Sequence, residues 1–124
     1  MSKRLALIAI LAVVASPAAA QAVGDPVAGA KLFGQCRMCH AVDAAKPDGL
    51  GPNLWGIYNG KAARRARFKY SPVLKKSAIV WTDANLDRWL TNPATMIKGN
   101  RMLFAGLPRQ QARADIIAYL KTLK

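Results

Sequence analysis

Cys36-Arg37-Met38-Cys39-His40 is the stretch that decides how this chain folds. Two cysteines two residues apart, followed at once by a histidine, form the C-x-x-C-H pattern of c-type haem attachment. The spacing has a chemical reason. Two thiols must reach the two vinyl groups on one edge of a porphyrin, and the next residue must project under the ring and offer a neutral imidazole nitrogen to iron. Other uses of these residues fit less well. A Cys36–Cys39 disulfide would give His40 no part to play. A thioredoxin-like redox pair needs a strand-helix context, and structural zinc needs four ligands. The chain holds only two cysteines and one histidine.

Working outward, Asp25-Pro26 is a helix start, with Asp as N-cap and Pro in the first turn. That helix is predicted to run through Val27 to Phe33 into the motif. From Ala41 to Tyr70 the chain is rich in loop residues, among them Gly49, Gly51, Pro52, Asn53, Gly56, Asn59 and Gly60. Ser71-Pro72 opens a short helix to about Ser77. Thr82 caps another, in which Leu86, Trp89 and Leu90 recur at helical spacing, and Asn92-Pro93 ends it. Gly99 to Leu107 is loop. After Pro108 comes a last helix whose Ala112, Ile116, Tyr119, Leu120 and Leu123 form one stripe. No segment has the pattern of a strand with a partner, and there is no repeat or internal linker. Loops this long are unusual in a small domain unless something else orders them; a buried haem would. The fold class is therefore all-α.

The first residues have a different character. Met1 to Arg4 is short and basic, Leu5 to Ala15 is an unbroken apolar run, and Ala18-Ala19-Ala20 supplies small residues. This is the pattern of a cleaved secretory signal over residues 1–20, with Ala22 a second candidate cleavage position. The apolar run is shorter than the roughly 20 residues of a membrane span. Residues 21–124 then form one domain. The 124-residue chain carries a formal net charge of +13, two of which belong to Lys3 and Arg4, leaving +11. There is no Glu, and the acids are Asp25, Asp43, Asp48, Asp83, Asp87 and Asp115. So basic a domain suits an acidic protein partner, an anionic membrane surface or nucleic acid, and a secreted location argues against the last.

Ligand chemistry narrows the other face of the iron. His40 is the only histidine, and no further cysteine remains. The candidates are Met96, Met102 or a lysine, since Met38 lies inside the attachment motif. Met96 follows soon after Pro93, whereas Met102 sits in the loop Lys98-Gly99-Asn100-Arg101-Met102-Leu103-Phe104. The loop position favours Met102. A thioether ligand would hold ferrous iron and raise the potential.

Further landmarks occur in order along the chain: Gly29 and Phe33, the Cys36–His40 motif, Gly51-Pro52-Asn53-Leu54, Tyr70-Ser71, Trp81, Asn92-Pro93, Met102 with Phe104 and Gly106, Arg113, and Ile117-Ala118-Tyr119-Leu120-Lys121. Together they resemble the class I cytochromes c, the small soluble bacterial and mitochondrial type, from Gly24 to Lys121. The resemblance implies a cytochrome c fold of three main helices and long loops wrapped around one haem c, covalently bound through Cys36 and Cys39. It implies His40 and Met102 as the axial metal ligands, with the Pro52 carbonyl accepting the other ring N–H of His40. It implies that Tyr70 and Trp81 donate hydrogen bonds to a haem propionate, and that Gly29 and Tyr119 meet where the first and last helices cross. Four positions depart from the mitochondrial pattern: Gly60 for an Arg, Trp89 for a Tyr, Lys98 for a Pro and Leu74 for a small polar residue.

The function so implied is a periplasmic, monomeric electron carrier, not an enzyme. It would shuttle single electrons between an acidic redox-protein donor and acceptor, such as membrane oxidoreductase complexes or a dehydrogenase. Contact with the membrane surface would be transient. A haem peroxidase would need an open iron position and a distal acid–base group, and no second histidine exists to serve. The densest basic run, Lys61 to Lys69, is a candidate docking element, because positive charge around a haem edge steers acidic partners.

Overall fold

The computed structural model describes residues 22–124 and the isolated positions 12, 14 and 15, so the secretory signal read over residues 1–20 falls outside what it tests. Helix α1, Pro26–Leu32, starts where Asp25 caps it: the Asp25 carboxylate accepts the Val27 N–H at 2.8 Å, with Pro26 next in line. It runs directly into a 3₁₀ turn, Phe33–Met38, which carries most of the attachment motif. Helix α2, Pro72–Lys76, is capped by Ser71, and α3, Asp83–Thr91, by Thr82, whose Oγ1 accepts the Asn85 N–H. Asn92 ends α3 but also caps a further single turn, α4, Pro93–Met96, by accepting the Thr95 N–H at 3.1 Å. The Asn92-Pro93 stop is thus a stop and a restart. Helix α5, Gln110–Lys121, closes the described chain and has no side-chain cap. Among the described residues the only β pairing is one isolated bridge, Lys61 with Val80, and no helix is long and apolar enough to cross a membrane. The expected three main helices are α1, α3 and α5.

The hydrophobic core joins Phe33, Trp81, Leu86, Trp89, Leu90, Ile116, Ile117 and Leu120. Helix α5 is its centre, packed on one side by α1 and on another by α3. That two-sided packing buries Ile117 as well as Ala112, Ile116, Leu120 and Leu123 of the expected stripe, while Tyr119 is only half-buried. Gly29 and Tyr119 meet as expected: a Cβ on Gly29 would lie 2.9 Å from the Tyr119 Cβ. Buried Arg113 ties α5 to α3 and to the preceding loop. Its Nε donates to Asp87 at 2.7 Å, and its Nη1 donates to the carbonyls of Leu107 and Pro108. Three acceptors for one guanidinium offset its desolvation. Gly106, at φ +100, lets the chain return against the end of α3, since a Cβ there would sit 2.0 Å from the Thr91 carbonyl oxygen.

Candidate haem site

The core opens on one side into a cavity of about 480 Å³, within the roughly 300–1,000 Å³ of pockets that enclose small molecules and cofactors. The seven residues expected to contact or ligate the haem line it: Cys36, Cys39 and His40 from the motif, Pro52 and Tyr70 from the long loop, Trp81, and Met102. The rest of the wall is largely apolar, including Phe33, Leu54, Leu86, Trp89 and Phe104.

The motif is well anchored. The His40 N–H and the Cys39 N–H both donate to the Cys36 carbonyl. Arg37 donates to the Tyr119 hydroxyl at 2.8 Å and lies over the rings of Phe33 and Tyr119. The attachment turn is therefore clamped to α5. The two cysteines form no disulfide with each other; Cys36 is partly buried and Cys39 exposed. Burial, and secondarily the neighbouring Cys39, pushes the Cys36 thiol above its ordinary pKa.

His40 Nδ1 lies 2.7 Å from the Pro52 carbonyl oxygen. Since a carbonyl only accepts, Nδ1 carries the proton, and Nε2 is left with a free lone pair. Burial lowers the pKa of the ring, against the weaker opposing effect of the Pro52 bond, so the neutral, ligating form is the one held. Gly51 is needed for this geometry: a Cβ there would approach His40 Cε1 to 2.4 Å. The next residue, Asn53, is 1% exposed. Its amide donates to the Asp43 and Lys46 carbonyls, both at 2.8 Å, and accepts the Trp55 N–H. One side chain thus holds the loop that aims the Pro52 carbonyl. Loop composition alone had not distinguished these roles of Gly51 and Asn53; their adjacency to Pro52 is the signal that could have.

Met102 is half-buried on the cavity wall and donates its backbone N–H to Asn100 Oδ1 at 2.9 Å. Met96 belongs to α4 and is not among the residues that line the cavity, and Met38 is 83% exposed. Tyr70 and Trp81 are both buried. The Tyr70 hydroxyl accepts the Arg65 N–H at 3.3 Å, which leaves its own proton to donate, and burial raises its pKa.

The basic run divides. Arg64 donates to the Trp55 carbonyl and covers the open side of Gly60. Arg65 Nε lies against the Asp48 carboxylate as an ion pair, without a well-formed hydrogen bond. Lys61, Arg67 and Lys69 remain exposed, and Lys69 reaches the cavity wall.

These features fit a haem: an apolar cavity of suitable size, two cysteine sulfurs at its wall, and an imidazole whose proton is already committed to the protein. Comparison with known proteins agrees. The family model described as cytochrome c matches residues 26–124. Over 105 residues the chain is 43% identical to cytochrome c2 of Rhodomicrobium vannielii, covering 85% of this chain and 84% of that one. Over 99 residues it is 46% identical to cytochrome c of Theileria annulata, covering 79% and 85%. Among solved structures, cytochrome cH from Methylobacterium extorquens superposes with a TM-score of 0.76 at 39% identity, covering 80% of this chain and 99% of that chain.

Proposed function

The chain belongs to the cytochrome c family and binds one haem c through Cys36 and Cys39; on that premise we propose that it is a periplasmic electron carrier with His40 and Met102 as its axial ligands. The observation that carries the ligation is the 2.7 Å bond from His40 Nδ1 to the Pro52 carbonyl. It leaves Nε2 as the coordinating nitrogen in a cavity that Met102 also lines. Bound haem supplies a one-electron ferric/ferrous couple.

The chain's own residues do the rest. Pro52 fixes the tautomer and raises the basicity of His40. Met102 offers a soft sulfur on a separate segment, so His40 and Met102 together would hold the iron and leave no site open for a substrate. That is the basis for reading a carrier and not an enzyme. Tyr70 and Trp81 offer O–H and N–H groups to propionates. Apolar walls exclude water, so little rearranges when the charge on the iron changes. Net positive charge favours acidic redox partners, a donor and an acceptor met in turn by a monomer. Export to the periplasm is supported by the basic start, apolar run and small-residue site of residues 1–20.

Two measurements on purified protein test this. The visible spectrum of the reduced form should show a low-spin, thioether-linked haem that does not take up carbon monoxide readily. The intact mass should equal one haem plus a chain that starts at residue 21 or 23. A high-spin spectrum, or a mass that retains residues 1–20, contradicts the corresponding part.

A further inference from the structure

The loop between α4 and α5 is held by the side chains of Met102, Phe104 and Leu107, which pack against the core, and by few backbone bonds to other elements. Lys98, Gly99, Arg101, Leu103 and Ala105 are exposed, Leu103 completely. Its backbone bonds from Asn100 to Phe104 are local ones, Asn100 N–H to the Ile97 carbonyl and Phe104 N–H to the Met102 carbonyl. The next anchor to another element is Leu107, whose N–H donates to the Leu90 carbonyl.

Asn100 is the exception. Its side-chain amide donates to the Pro93 carbonyl and to the Ile97 carbonyl, both at 2.8 Å. Its Oδ1 accepts the Met102 N–H at 2.9 Å. Both donors and the acceptor are used, and the amide spans from the first residue of α4 to the backbone of Met102. Gly99, at φ +86, makes the turn that brings Asn100 inward. The acceptor half is an Asx turn, in which an Asn oxygen takes the N–H two residues on.

We propose that Asn100 is a positioning residue for Met102, and that its amide sets how often the loop opens and releases the sulfur from iron. The proposal rests on Met102 being the sixth ligand. Loops with exposed backbone and few bonds to other elements open locally, well below the cost of global unfolding. An exogenous ligand can bind only to the open form, so its apparent affinity reports the open fraction.

The test is cyanide binding to the ferric holoprotein at fixed pH and salt, for wild type, Asn100→Ala, Asn100→Ser, Met102→Ala and the Asn100→Ala/Met102→Ala double variant. Haem content and circular dichroism accompany each. Asn100→Ala should tighten cyanide binding about tenfold, equivalent to about 1.4 kcal/mol, on the order of one or two net hydrogen bonds. Asn100→Ser keeps an oxygen for the Met102 N–H but loses both amide donors, and should fall between. Met102→Ala should bind most tightly, and adding Asn100→Ala to it should change nothing further. If Asn100→Ala and Asn100→Ser bind like wild type while Met102→Ala binds tightly, the role of Asn100 is overturned and the ligand stands. If Asn100→Ala tightens binding equally in the Met102→Ala background, it acts elsewhere in the cavity and the proposal fails. If Met102→Ala binds like wild type, the ligand assignment itself is wrong.

Discussion

A methyl group on Gly29 would sit 1.9 Å from the carbonyl oxygen of Asp115, so α1 and α5 cross with their backbones in contact. The attachment turn continues directly from α1, and Arg37 within it bonds to Tyr119 on α5. The helix crossing therefore also sets where Cys36, Cys39 and His40 are presented. Because the obstacle is backbone, it cannot swing aside as a side chain could.

Gly29→Ala should destabilise the protein by about 3 kcal/mol, at the upper end of overpacking costs. Urea unfolding of the holoprotein measures this. A change below about 0.5 kcal/mol would mean the helices can separate without penalty.

Asp115 supplies a pH dependence. Its carboxylate accepts the Asp25 N–H and the Gln111 amide, both at 2.9 Å, and those bonds, the Asp25 one foremost, hold its pKa below the ordinary carboxylate value. A group whose pKa is depressed on folding adds stability that is fully present above its unfolded pKa, near about 3.9, and is lost as the pH falls through the folded value. The stability difference between wild type and Asp115→Asn should thus hold at neutral pH and vanish in strong acid. Unfolding curves of both proteins over that range decide it; a difference that grows toward low pH would reverse the sign and refute the account.

Charge steering should depend on the free cations of the basic run, not on all of them. The charge of Arg65 is countered by Asp48, while Arg67 and Lys69 are exposed and Lys69 reaches the cavity wall. Arg67→Glu with Lys69→Glu should slow association with an acidic redox partner several-fold at low salt. The effect should disappear near 1 M salt, where screening acts within about 3 Å. Stopped-flow electron transfer over a salt series measures it. Equal rates for variant and wild type at low salt would remove these two residues from the docking face.

Legibility from sequence followed distance along the chain. Caps act over two or three residues, so Asp25, Ser71 and Thr82 could be recognised where they stand. The haem motif was legible because covalent attachment imposes its own spacing. Asn92-Pro93 was legible only by half: a stop signal and an N-cap use the same residues, and the restart as α4 depends on Asn92 reaching Thr95. The polar residues that hold the site together were not legible as such. Arg113 finds Asp87 26 positions away, and Asp25 finds Asp115 90 positions away. Asn53 and Asn100 look like ordinary loop residues until the carbonyls they gather are brought into place by the fold.

The ligation is tested most directly by the ferric absorption spectrum of wild type, Met102→Ala and Met96→Ala, recorded side by side at neutral pH. The weak Met-to-iron band toward the red end should be present in wild type and in Met96→Ala, and absent in Met102→Ala alone. Loss of the band in Met96→Ala with its retention in Met102→Ala would contradict the assignment of Met102 and with it the site described for this protein.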